Sequence, residues 1–270
     1  MPHTFTFTPS LPIGTRPCGF AAAVRWQKPR FIPTYPDHDT IICVTVLLLP
    51  VFPLKAYHTY NWSRHTGHIC DVIPIRRTRD LLLRAMLRPY LIAAFAISLP
   101  LLFIFGIPLL KDIIESRTIS ILNADILSMF IGSGFVFILS TIFLLSLRSK
   151  NIRNRDIRLI LGRHQLGSSD PAMWTEEVLA SIKPSTQLFG TDSELEAGRK
   201  ALNKGRFAHA MLAARLAVAK GESLGKELTD EILQDARVRE NIHKVRKKPW
   251  RRQELFPEDA VVSVELISEK

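Results

Sequence analysis

Two stretches of this 270-residue chain hold side chains whose types and spacing suit chemistry. In AYHTYNWSRHTGHIC, His58, His65, His68 and Cys70 fall close together, and HxxHxC presents imidazole and thiol ligands of the kind zinc takes. Zinc ribbons, however, pair CxxC knuckles, and none occurs here. A solvated loop is the expected state, with a membrane-bound metal site or hydrolase on these four residues as the alternative.

The second stretch is IRLILGRHQLGSSDPAMW, residues 157–174. Gly162, Gly167, Ser168 and Ser169 spell GxxxxGSS, one lysine short of a phosphate-binding loop. Ser168 stands where the lysine would reach the β and γ phosphates, and Pro171 removes an amide donor. The same residues read more simply as a junction. An apolar run that suits a strand comes first, then two glycines with positive φ. Asp170 or Ser169 follows as an N-cap, with Pro171 in the first helical position of AMWTEEVLASI. Arg163, His164 and the serine pair offer at most a weak site for a lipid phosphate. No catalytic constellation emerges, no cofactor is implied, and an enzyme is not expected.

What must position these residues is dominated by lipid. Pro89–Leu110 and Ile126–Leu147 are each 22 residues without a charge. At about 1.5 Å per residue each reaches about 33 Å, enough for a hydrocarbon core of about 30 Å. Both are read as transmembrane helices. Thr40–Leu54 is uncharged for only 15 residues, β-branched at first and broken by Pro50 and Pro53. A strand running into an extended proline segment suits it better than a span or a re-entrant segment.

Arginine and lysine flank the spans unequally. Arg76, Arg77, Arg79, Arg84 and Arg88 precede the first; Arg148, Lys150, Arg153, Arg155 and Arg158 follow the second; Lys111 and Arg117 alone lie between. The positive-inside rule then puts both termini in the cytoplasm. The net charge of +11 is accounted for by anionic headgroups, and nucleic acid is not required. Headgroup contact is expected from Arg76, Arg77, Arg79, Arg84, Arg88, Arg148 and Lys150. It is also expected from Lys247, Lys248 and Arg251 of the basic run HKVRKKPWRRQ. Three cysteines on the cytoplasmic side argue against structural disulfides.

The expected fold is a two-helix transmembrane hairpin between a small β-rich N-terminal module and an α-helical cytoplasmic C-terminal domain. Its parts are a β-rich module at 1–75, an interfacial basic helix at 76–88, spans at 89–110 and 126–147, an external loop at 111–125, a helical domain at 148–252 and a tail at 253–270. Within the helical domain, helices are expected at 171–183 and 227–245, with a linker at 183–193. Ser128, Gly132 and Ser140, with Ala94 and Ser98, allow close helix packing, either within one chain or between copies in a homo-oligomer.

Residues 194–217, ELEAGRKALNKGRFAHAMLAARLA, place Ala197, Gly198, Ala201, Gly205, Phe207, Ala210, Ala214 and Ala217 at helical spacing. This resembles a single tetratricopeptide unit, although Glu194 replaces the family's early aromatic and no second repeat follows. The resemblance implies a packed helical hairpin. The order of LPVFPL, two spans and GRHxxGSSDP is similar to bacterial two-span membrane proteins, a resemblance that supplies no activity. The expected role is a membrane anchor or scaffold that presents cytoplasmic domains to a protein partner; an oligomeric transport subunit is a further alternative.

Overall fold

A computed structural model describes residues 3–6, 13–26, 36–46, 49–61, 69–116, 124–164, 166–182 and 190–256. The N-terminal part is a five-stranded antiparallel sheet of β1 (His3–Thr6), β2 (Ile13–Val24), β3 (Asp37–Val46), β4 (Leu49–Tyr60) and β5 (Ile69–Pro74), in the order β1-β5-β4-β3-β2. Alternation gives this sheet its working face. Ile41 pairs with Ala56 and His58 with Ile73. Ile41, Cys43, Ala56, Tyr60 and Ile73 therefore join one buried cluster with Leu81, Ala85 and Leu159–Leu161. The described residues of 40–54 belong to β3 and β4, as the β-branched and proline pattern predicts, and form no helix.

Two long antiparallel helices stand on that face. Helix α1 (Arg79–Ser116) starts at Thr78, whose hydroxyl accepts the amide of Leu81 at 3.3 Å, and it carries Pro89, Pro100 and Pro108 internally. The expected interfacial helix and first span are thus one continuous element. Helix α2 (Ala124–Leu161) returns, and it runs 14 residues beyond the expected end of the second span. The expected strand at IRLIL is corrected: Ile157–Leu161 is the last turn and a half of α2. A short β-branched run carries no period of its own. Here Ile157, Leu159, Ile160 and Leu161 are all buried, which both strand and helix patterns allow.

Both helices are long and apolar enough to cross a membrane, and only 6% and 11% of their most apolar windows are buried. They pack on each other through small residues. Ser98, Ser133 and Ser140 are buried, Phe95 stacks on Phe137 at 4.9 Å, and a Cβ on Gly106 would lie 2.9 Å from the Phe130 ring. Ser128 and Gly132 face outward. Close approach continues where β2 meets α1. Gly19 has φ +69°, and a Cβ there would fall 2.3 Å from the Ala85 Cα.

The C-terminal layer is helical. After a 3₁₀ turn at Pro171–Met173 come α3 (Glu176–Ala180), α4 (Glu194–Asn203), α5 (Phe207–Ala219), α6 (Leu224–Gln234), α7 (Ala236–Lys247), a 3₁₀ turn at Pro249–Arg251 and α8 (Arg252–Leu255). The hairpin expected at 194–217 forms as α4 and α5, turning at Gly205 with φ +73°. Small residues let its helices and α6 approach closely: Cβ atoms on Gly198 and Gly225 would lie 2.7 Å from Leu228 and 2.8 Å from the Ala214 carbonyl. The helix expected at 171–183 is shorter and broken at Trp174, and the one at 227–245 divides at Asp235, whose carboxylate caps α7 by accepting the Arg237 amide at 2.8 Å. Most of the expected linker, residues 183–189, lies outside the described residues.

Candidate functional site

The most concentrated polar chemistry among the described residues lies where the sheet, the end of α2 and the GRHQLGSSDP segment meet. Asp39 on β3 and His58 on β4 are register partners. Both point at Arg158, one turn from the end of α2. The Arg158 guanidinium donates to Asp39 Oδ2 and lies 3.0 Å from His58 Nδ1, which is 3.0 Å from Asp39 Oδ1. All three are buried, at 4%, 0% and 2% exposure for Asp39, His58 and Arg158. Burial alone would raise the Asp39 pKa, but Arg158 beside it, with the His58 hydrogen bond, holds it down at about 2. Burial pushes His58 down to about 4, against the pull of Asp39. His58 is therefore neutral at physiological pH, its Nδ1–H donated to Asp39 and its Nε2 without a hydrogen-bond partner among the described residues.

A second carboxylate sits beside this trio. Asp37, 5% exposed, has an ion pair to Arg163 at 3.8 Å, and burial pushes its pKa up to about 6 against the opposing pull of Arg163 and Arg158. Arg163 also donates to Asn61 Oδ1. Gly167, with φ +69°, lies so close to Tyr60 that a Cβ would fall 2.7 Å from that side chain, which lashes the segment to β4.

His164, Ser169 and Asp170 in the rest of the segment are hydrogen-bonded within the protein. His164 accepts the Leu166 amide at Nδ1 (3.2 Å) and donates from Nε2 to the Ser169 carbonyl (3.0 Å). Both nitrogens are committed to the neutral tautomer, and burial lowers the pKa to about 4. The Trp174 indole, fully buried, donates to Ser169 Oγ at 2.9 Å, and Ser169 donates to the Leu166 carbonyl at 3.0 Å. Asp170 caps the 3₁₀ turn by accepting the Ala172 amide and takes a two-pronged ion pair from Arg215 of α5 at 2.9 and 2.7 Å. The phosphate-loop resemblance therefore resolves into a turn and a cap. The weak lipid-phosphate site is corrected as well, because Ser168 and Ser169 are fully buried, His164 is 8% exposed, and Arg163 is held by Asp37 and Asn61.

Arginines from the C-terminal layer close the joint from below. Arg252, 5% exposed, donates to the Leu159 and Ile160 carbonyls at 3.0 and 2.7 Å, filling two acceptors that the end of α2 leaves open. Gly162, with φ +78°, makes room: a Cβ there would sit 2.6 Å from the Arg252 guanidinium carbon. Arg246 of α7 binds Asp156 of α2 through both oxygens, and Arg155 donates to the Arg246 carbonyl at 3.1 Å.

Of the residues expected to hold metal, His58 is fully buried and gives its Nδ1–H to Asp39 beside Arg158. Strand alternation sends Cys70 to the other face of the sheet, with Val72 and Thr59. His65 and His68 lie outside the described residues, and no cluster of three metal-ligating side chains occurs among the described ones. Of the expected headgroup contacts, Arg77, Arg79, Arg88, Arg148, Lys247, Lys248 and Arg251 are exposed, Arg251 within reach of Glu254. Arg76 instead turns to the helical layer, 3.6 Å from Glu176 and donating to the Ala219 carbonyl at 3.5 Å. Arg84 is 3% exposed, packed between α1 and the sheet, so it is not placed at a surface. The side chain of Lys150 lies outside the described residues.

Asp39, Asp156, Arg158, Arg246 and Arg252 carry the joint, and sequence reading did not single them out as its members. The available signal was Arg158 itself, an arginine inside the apolar run IRLIL, where a lone charge needs a buried partner. Chemically the joint is half of a general-base arrangement, an Asp–His pair, but one sealed from solvent. No hydroxyl or thiol among the described residues is hydrogen-bonded to His58 Nε2. Comparison with protein families, with curated proteins and with solved structures returned no match. What the fold itself defines is an antiparallel sheet and a helical layer joined on one end of a long apolar helical hairpin.

Proposed function

We propose that this chain is a two-span membrane anchor that holds its sheet and helical layer rigidly together at the cytoplasmic face of a bacterial inner membrane, as a platform for a protein partner. One observation carries the reading: the large apolar side chains of α1 and α2 point outward. Ile97, Phe103, Ile107 and Leu110 on α1 and Ile131, Phe135, Ile138 and Leu145 on α2 are all between 57% and 65% exposed. The core helix of a soluble protein buries such a face, and each large apolar side chain left in water forgoes about 1.5–3 kcal/mol. In lipid these side chains are at home, and the backbone of each helix is satisfied internally.

The two ends of the hairpin differ as an anchor requires. Arg77, Arg79, Arg88 and Arg148 crowd the end that bears the sheet and the helical layer, which supports a cytoplasmic setting for that end. The sealed joint serves the platform role, since Asp39, Arg158 and Arg252 each tie one segment to another.

The test uses the full-length chain in bacterial cells. It should stay with membranes through alkaline carbonate extraction. A reporter active only in the cytoplasm should work at either terminus, and a single cysteine between the helices should react with an impermeant thiol reagent from outside. Recovery of the chain as a soluble monomer, or an external terminus, would end the reading.

A further inference from the structure

Beside the two long helices, a third apolar surface stands at the same level, at the ends of β3 and β4. Val46, Val51, Phe52 and Leu54 are 39%, 54%, 61% and 38% exposed. They sit in a stretch, Thr40–Leu54, that has no charged residue. The ladder also slips here: Val44 pairs with Phe52 and Thr45 with Pro50, so Val51 stands out as the extra residue of a bulge.

The height of this edge along the helices is fixed. The strands run beside α1. The end that carries Asp39 lies at the joint, the middle packs on Leu81 and Ala85, and the far end meets Tyr90, whose hydroxyl donates to the Pro50 carbonyl at 2.8 Å. Tyr90 is two residues past exposed Arg88 and opens the charge-free run of α1. A tyrosine between an arginine and an apolar run occupies the headgroup boundary of a membrane helix. The bond from Tyr90 therefore sets Pro50 and its neighbours at that boundary.

The backbone suits that depth too. β5 accompanies β4 through Tyr57–Tyr60 and the Ile75 amide reaches the Ala56 carbonyl at 3.1 Å, so among the described residues the Leu49–Lys55 stretch has no strand paired on that side. Two of its residues, Pro50 and Pro53, have no N–H to leave unsatisfied, and the Pro50 carbonyl is taken by Tyr90.

We infer that the β3–β4 edge is a third, non-spanning membrane contact, an apolar wedge that enters the headgroup–acyl boundary of the leaflet beside α1. This rests on the anchor reading, and its occupant is the lipid surface rather than a protein. Its consequence is that the sheet is fastened to the bilayer at the β3–β4 edge as well as through α1 and α2.

The test reconstitutes the full-length protein in phosphatidylcholine–phosphatidylglycerol vesicles whose acyl chains carry bromine either near the headgroup or near the bilayer centre. Phe52→Trp and, separately, Val51→Trp add one indole to the native four, and Phe135→Trp does so on the outward face of α2. The emission gained over wild type at 52 or 51 should be quenched about twofold by the shallow bromines and less by the deep ones. At 135 the deep bromines should quench more. Quenching at 135 with none at 51 and 52 overturns the wedge and leaves the anchor standing, whereas quenching at none of the three positions removes the anchor and the wedge with it.

Discussion

Arg158 is the residue on which the joint turns. Removing it strands Asp39, which is 4% exposed and has no other cation in contact among the described residues. Arg158→Ala is therefore expected to cost about 3–5 kcal/mol, read as a lowered denaturation midpoint in detergent. Arg158→Met with Asp39→Leu should recover most of that loss, because two apolar side chains need no partner. A second prediction concerns acid. His58 and His164 each have a folded pKa of about 4, below the ordinary imidazole value of about 6.5. The unfolded chain takes up their protons first, so this stability is complete above pH 6.5 and drains away as pH falls toward 4. Asp37 works the other way, gaining stability as pH falls from about 6 toward 4, and offsets part of the loss. His164→Gln should reduce proton uptake on unfolding near pH 5 by about one, seen as a shallower dependence of Tm on pH. An unchanged slope would mean that His164 is not held neutral.

At the scale of elements, the uninterrupted α2 matters most. Its last carbonyls are capped by Arg252, a residue 93 positions along the chain from Leu159. Arg252→Ala should open the final turn: faster hydrogen exchange of the amides of Ile160 and Gly162, with the span amides unaffected, and a stability loss of about 1–3 kcal/mol. Much of this level was legible in the sequence. Two charge-free runs specify α1 and α2, the proline and β-branched pattern of 40–54 specifies extended chain, and the spacing of small residues specifies the α4–α5 hairpin. The end of α2 was not legible, because what keeps Ile157–Leu161 helical is burial against the sheet and the helical layer, supplied by segments far away in sequence. For the same reason Arg158 reads as one more membrane-flanking charge and His58 as one of a ligand cluster. Their partners are set by strand register and by a contact spanning 119 residues, neither of which a local pattern encodes.

At the scale of the molecule, the sheet is half of a core. Ile41, Cys43, Ala56, Tyr60 and Ile73 bury against α1 and α2, and Asp39 is neutralised by Arg158 of α2. Residues 1–75 expressed alone should show no cooperative thermal transition, while residues 1–256 should show one. A folded, cooperative 1–75 fragment would mean that the sheet is a domain in its own right and the joint an accessory.

The fastening of α2 at Arg158, Asp156 and its capped end removes a freedom that tethered proteins commonly keep. A domain on a loose leash samples a hemisphere, but one clamped to the shaft of a span shares that shaft's azimuth. On the anchor proposal, any partner that docks on the helical layer meets a surface whose bearing relative to the membrane plane is already chosen, and a twist of α2 about its own axis must turn the layer with it.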